Sequence, residues 1–141
     1  MQENQLQDAS VQYFKNLVRS NFTEVPGMLT LLKELRRAHI KTICLSDHCR
    51  EWVEYSEQKF HFLDLFDYAF FSFQTGLSKR NPQAYLHLIE KSCVNPATTM
   101  LVDDRKTVID IARASPVNIR YVHHFNCAEA LLKDLKYHNL I

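Results

Sequence analysis

The sequence predicts an α/β protein built on a parallel sheet with helices on both faces. Four short apolar segments, 40–45, 68–73, 99–102 and 119–122, alternate with stretches of three-and-four periodicity. That order is expected when helical crossovers join parallel strands. Only two glycines and four prolines occur in 141 residues, too few for a turn-rich sandwich or for glycine-dense phosphate and dinucleotide loops. The 46% hydrophobic content and the lack of repeats, linkers and low-complexity runs fit one core. A chain of about 150 residues buries roughly 68–70% of its unfolded surface, so neither disulfides nor a structural metal are required.

From the amino terminus, Val11, Phe14, Leu17, Val18 and Phe22 recur at helical spacing, predicting an amphipathic helix over 11–22 that starts near Asp8 or Ser10. Pro26 suits a first helical position for a second helix carrying Met28, Leu29, Leu31, Leu32 and Leu35, with Arg36 and Arg37 at its carboxyl end. The strand Ile40–Leu45 is apolar enough to be buried on both faces. Ser46 or Asp47 then caps a helix holding Trp52, Val53, Tyr55 and Phe60. A second strand runs over Tyr68–Phe73, and its aromatic cluster is read as sheet packing because no basic residues interleave with it. Asn81-Pro82 is a cap followed by proline before the helix Gln83–Lys91. The strand Thr99–Val102 ends in Asp103-Asp104, the helix Thr107–Ala114 follows, and the fourth strand is Ile119–Val122. Asn126 with Glu129 forms a capping box for the last helix, which carries Ala130, Leu131, Leu132 and Leu135.

Lysine and arginine number 17 against 16 aspartates and glutamates, a formal net charge of +1, which removes the usual reason to expect nucleic-acid or anionic-membrane binding. The opening MQENQLQDAS has neither a basic end nor an apolar run, and no segment reaches the length of a membrane span, so a cytoplasmic location is expected. Cys44, Cys49, Cys93 and Cys127 fit no zinc-knuckle spacing and are expected to be buried and reduced.

In parallel sheets, functional loops lie beyond the carboxyl ends of the strands. Three such ends carry Ser46-Asp47, the loop 76–79 and Asp103-Asp104. The adjacent carboxylates Asp103 and Asp104 suit a magnesium ion, or serve as helix caps. Lys79 pairs with them, holds a phosphate as a point charge, or is simply solvated. Ser46 donates a hydroxyl to a phosphoryl oxygen or caps the next helix. His48, His123 and His124 are candidates for proton transfer without a visible partner in sequence. A Ser46, His124 and Asp103 triad is disfavoured by the lack of a small-residue elbow around Ser46.

The stretches PGMLTLLKELRRAHIKTICLSDHCREW and FDYAFFSFQTGLSKRNPQAYLHLIEKSCVNPATTMLVDDRK resemble the haloacid dehalogenase-like hydrolase superfamily, in particular its phosphatase branch with an inserted helical cap. The likeness runs from about Pro26 to Val122. It implies that Ser46 binds the phosphoryl group and that Lys79, within a G-x-x-K-P-x-P-x-x-Y pattern over Gly76 to Tyr85, stabilises it. Pro82 and Tyr85 match that pattern, while Arg80 replaces the proline after the lysine. Asp103 maps to a magnesium ligand, and Asp104 to support of the metal shell or of Lys79.

The resemblance also shows what is missing. Family members attack phosphorus with the first aspartate of a D-x-D-x-T/V motif that ends a central first strand, and no such motif occurs here. Residues 1–25 read as the remnant of a helical cap or a linker, and 26–141 as an incomplete core of the three-layer Rossmann-like type without that strand. The strands at 40–45 and 99–102 must then pair directly, admit a strand from another chain, or stay unpaired. The resemblance thus implies magnesium-dependent phosphomonoester hydrolysis for the family and inactivity for this chain alone. Its alternatives are an active enzyme when an N-terminal segment or partner supplies the nucleophile, and a non-catalytic binding or scaffold protein. The expected partners are a phosphorylated small molecule, and a second copy or complementing segment at the unfilled sheet position.

Overall fold

The computed structural model describes residues 2–141, with side chains from Ala9 onward. Helix α1 spans Gln2–Ser20, so Asp8 and Ser10 lie inside it and do not cap it. It ends where Ser20 Oγ and Asn21 Nδ2 donate to the carbonyl of Leu17 at 2.7 and 2.8 Å. Phe22 lies beyond the helix, its ring 5.8 Å from Trp52 and 6.0 Å from Tyr55.

Helix α2 covers Met28–Arg37. Pro26 precedes it instead of occupying its first turn, because Gly27 makes the entry turn at φ 80°, a left-handed conformation costly for other residues. Strand β1 is Ile43–Ser46. It starts later than predicted because Thr42 is tied sideways: its N–H donates to Asp67 Oδ2 at 2.7 Å and its hydroxyl to the Leu65 carbonyl at 2.8 Å. Ser46 belongs to the strand, and helix α3, Arg50–Phe60, begins after Cys49 with no side-chain cap. Neither Ser46 nor Asp47 therefore caps it.

Strand β2 stops at Phe71 (Tyr68–Phe71), and Ser72–Thr75 form a single helical turn, α4, closed by Gly76 at φ 70°. Phe73, predicted in the strand, sits on that turn, with its ring 5.6 Å from Phe71. Helix α5 is Gln83–Ser92, and Asn81 Oδ1 accepts from the Gln83 N–H at 3.0 Å as a cap should. Strand β3 is Met100–Asp103, helix α6 Lys106–Ala114, strand β4 Tyr121–His124 and helix α7 Ala128–Tyr137. The predicted capping box at α7 does not form. Asn126 Oδ1 accepts from Cys127 N–H at 2.6 Å, and Glu129 reaches forward to Lys133 at 2.7 Å.

β1 pairs in parallel with β2, from Ile43 opposite Tyr68 to Ser46 opposite Phe71. β3 pairs in parallel with β4, from Met100 opposite Tyr121 to Asp103 opposite His124. The two pairs are separate sheets. Leu45 of β1 and Leu101 of β3 nevertheless pack on one cluster formed by Tyr85, Ala112 and Ile119. Met100, whose side chain alternates to the other face, joins Leu31, Leu35, Leu131 and Leu135 of α2 and α7. The result is three layers, with α5 and α6 on one face, α2 and α7 on the other, and a split parallel sheet between. The split lies between β1 and β3, where the resemblance expects a further strand. The β1 and β3 strands do not pair directly, and residues 11–20 are helical, as their periodicity requires.

All four cysteines are free. Only Cys44 is substantially covered, and burial pushes its thiol up to about 11 against the opposing pull of Lys79. The expectation of buried thiols fails for Cys49, Cys93 and Cys127, which are exposed. Cys49 and Cys127 stand just before helices, and Cys93 ends α5 in a left-handed turn at φ 52°.

Candidate functional site

The carboxyl ends of β1 and β3, together with the loop after α4, bring Asp47, Ser78, Lys79, Asp103 and Arg105 together. Lys79 Nζ donates to Asp103 Oδ2 at 2.5 Å, and the other oxygen of Asp103 accepts from the Arg105 N–H at 2.9 Å. The Arg105 side chain spans the split, with Nε 3.5 Å from Asp103 Oδ1 and a terminal nitrogen 3.9 Å from Asp47 Oδ2. Asp47 also accepts from the Lys79 N–H at 2.8 Å and the Ser78 hydroxyl at 3.2 Å. Two carboxylates and two cations thus form one cluster joining the half-sheets that backbone hydrogen bonds leave apart.

Local chemistry explains the spacing of the lysine loop. Gly76 supplies the left-handed residue that closes α4. Tyr85, fully buried, returns its hydroxyl to the Lys79 carbonyl at 2.7 Å and so fixes the loop from the first turn of α5. Arg80 N–H donates to Ser78 Oγ at 3.1 Å, a bond that a proline at this position cannot make. The departure from the expected pattern therefore has a local compensation.

Asp103 has only 3% of its side chain exposed, against 16% for Lys79 and 42% for Arg105. Burial pushes the Asp103 carboxyl upward, but the Lys79 hydrogen bond, the Arg105 N–H and the charges of both cations outweigh it and hold the carboxyl below its ordinary value. Burial, reinforced by Asp103 and Asp47, pushes the Tyr85 phenol up to about 12.

Of the residues singled out in the sequence, Lys79 and Asp103 meet directly. Ser46 ends β1 beside Asp47 and is half-buried, whereas Asp104 is exposed and its backbone carbonyl accepts from His124 Nε2–H at 2.9 Å. Of the histidines without a partner in sequence, His123 acquires one in space, its Nδ1 2.7 Å from Asp134 Oδ2, while His48 meets the Phe22 ring at 5.9 Å. The sequence places Asp47 at a functional strand end and offers it as a cap, but does not single out Arg105. An arginine next to an acidic pair at a strand end was the available signal for it.

Magnesium favours near-octahedral sets of oxygen donors. Among the described residues no three His, Cys, Asp or Glu side chains gather into a group able to hold a metal ion. Both oxygens of Asp103 already accept bonds from Lys79 and Arg105. The described donors at this cluster therefore do not by themselves fit the ion. As it stands, the cluster presents two cations already paired with carboxylates, beside a Ser78 hydroxyl that donates to Asp47.

A family model described as haloacid dehalogenase-like hydrolase matches residues 1–123. Among solved structures, a hydrolase from Streptococcus pneumoniae TIGR4 is similar with a TM-score of 0.67 and 21% identity, covering 79% of this chain and 57% of that one. A HAD-superfamily hydrolase from Ehrlichia chaffeensis is similar with a TM-score of 0.67 and 18% identity, covering 84% of this chain and 60% of that one. The chain thus spans about three-fifths of the length of these relatives. A search of curated proteins gives no match. The match over most of the sequence, with the three-layer fold and the lysine–aspartate pair at the strand ends, establishes that the chain belongs to the haloacid dehalogenase-like hydrolase family.

Proposed function

We propose that this chain carries the phosphoryl-binding half of a phosphatase site and does not hydrolyse phosphate esters by itself. The observation that carries the reading is the Lys79–Asp103 pair at 2.5 Å, set at the mouth of a sheet whose β1 and β3 remain unjoined. In this reading Ser46 and Lys79 bind the phosphoryl oxygens, while Asp104, exposed and joined through its carbonyl to His124, stays outside the cluster. Asp103 keeps Lys79 oriented. Asp103 would hold magnesium only if further oxygen donors came from outside these residues. Hydrolysis would need a carboxylate nucleophile on a strand between β1 and β3, contributed by a further segment or a partner. A cytoplasmic setting and a phosphorylated small molecule as ligand belong to the same proposal. No described helix is long and apolar enough to cross a membrane.

The test is turnover of a generic phosphomonoester with magnesium present. The chain alone is expected to give none, and the same chain joined to an upstream segment ending in a D-x-D strand is expected to gain it. Turnover by the chain alone that disappears in Asp103→Ala would overturn the proposal.

One observation favours a second reading, a binding protein. Val11, Phe14, Leu17 and Val18 of α1 are 41–61% exposed. A solution mass corresponding to a dimer, abolished by Phe14→Ser, would support that reading; a monomer would remove it.

A further inference from the structure

The two cations of the cluster are held very differently. Lys79 reaches Asp103 at 2.5 Å with a side chain only 16% exposed, and its own backbone is pinned by Asp47 and Tyr85. Arg105 reaches the same carboxylate at 3.5 Å and Asp47 at 3.9 Å, with a side chain 42% exposed. Its backbone, by contrast, is fixed, because its N–H donates to Asp103 Oδ1 at 2.9 Å. The guanidinium can therefore swing while the start of α6 stays in place.

Neither carboxylate depends on that guanidinium. Without it Asp103 retains Lys79 Nζ and the Arg105 N–H, and Asp47 retains the Lys79 N–H and the Ser78 hydroxyl. The formal charges of Asp47, Lys79, Asp103 and Arg105 cancel, so an entering oxyanion must draw a cation toward itself from a neutral cluster. Arg105 can leave without stranding a buried charge, whereas removing Lys79 would uncover a carboxylate with 3% exposure. A planar guanidinium also matches two phosphoryl oxygens at once, which an ammonium cannot do.

We propose that Arg105 is the movable cation of this site, resting across Asp47 and Asp103 and passing to the oxygens of a bound phosphoryl group next to Ser46. The inference rests on the phosphoryl-binding reading above and adds to it the residue that meets two of the phosphoryl oxygens at once. Nothing covalent changes. The guanidinium exchanges carboxylate contacts for phosphate contacts, and Lys79 keeps Asp103.

The test is titration of the full chain with inorganic phosphate, followed by calorimetry and by the Nε–H resonance of Arg105 in nitrogen-15 spectra. Phosphate is expected to bind and to shift that resonance. Arg105→Gln is expected to weaken binding about tenfold, and Arg105→Lys to recover only part of it, since the fork is lost. Phosphate that binds while the Arg105 resonance stays unmoved, or that binds Arg105→Gln as tightly as the natural chain, overturns this inference and leaves the phosphoryl-binding reading standing. A natural chain that binds no phosphate overturns both. The resonance measurement uses the natural chain, so a variant that fails to fold does not remove the test.

Discussion

Helices α6 and α1 are both amphipathic, yet their apolar faces meet opposite fates. In α6, Val108, Ile109 and Ala112 are 1%, 4% and 0% exposed, and Ala112 packs in the same cluster as Tyr85 and Ile119. In α1, Val11 and Phe14 are 52% and 61% exposed, while Lys15 and Arg19 turn toward the rest of the molecule and meet Glu51 of α3 at 3.0 and 3.6 Å. Helix α1 is thus attached by its polar side. An apolar stripe records that a helix needs a partner, and whether the partner lies in the same chain is a separate fact. Ala112 of α6 shares its cluster with Tyr85, whose hydroxyl holds the Lys79 carbonyl, so this buried face also helps to position the site.

The largest effect expected in that region comes from Lys79→Met, which leaves buried Asp103 with only the looser Arg105 guanidinium and should cost about 3 kcal/mol of stability, read from denaturant unfolding. A loss similar to that of a surface change would mean that Asp103 is not buried as described. The same pair sets the acid limb. The folded-state carboxyl of Asp103 is held below its ordinary 3.8, so its contribution is present above that value and disappears as the pH falls through the lower, folded-state value. Asp103→Asn should flatten this part of a pH–stability curve.

Comparable in size is Ile109→Ala, expected to cost about 2 to 5 kcal/mol by opening a cavity in the covered face of α6. Thermal or denaturant unfolding measures it directly. Tyr85→Phe removes the hydroxyl that holds the Lys79 carbonyl and should cost about 1 kcal/mol near neutral pH. Because the Tyr85 phenol is pushed from 10.0 up to about 12, the natural chain should lose stability as the pH rises across that interval, where the unfolded state releases the proton first. The phenylalanine variant should lack this alkaline loss.

The smallest effect is expected from Phe14→Ser on α1, within about 0.5 kcal/mol for the isolated chain. A loss of several kcal/mol would show that this face is covered in solution and would break the contrast between the helices. A gain in solubility without a change in unfolding would sharpen it.

Much of the fold is legible in the sequence because period and burial are local. The three-and-four repeat at 11–22 and the apolar runs before Asp47 and Asp103 each define an element regardless of what surrounds it. Element ends were less legible, since they depend on distant hydrogen bonds. Asp67 takes the N–H of Thr42 and shortens the start of β1, and Asp47 turns to the lysine loop instead of capping α3. The same competition undid the capping box at Asn126, where Lys133 attracts Glu129.

The sequence by itself determined the alternation of helices and parallel strands, and it placed Ser46, Lys79 and Asp103 at positions where strand ends and their loops converge. Residues 1–45 contain no D-x-D-x-T/V motif. Only the tertiary structure decided that Asp47 and Arg105 join Lys79 and Asp103, that Asp104 stays outside, and that β1 and β3 share a core without sharing hydrogen bonds. The physical reason is range. Periodicity and turn chemistry act over a few residues, whereas neutralising a buried carboxylate requires whichever cation the folded chain brings within a few ångströms, from positions 24 residues apart in sequence for Lys79 and Asp103.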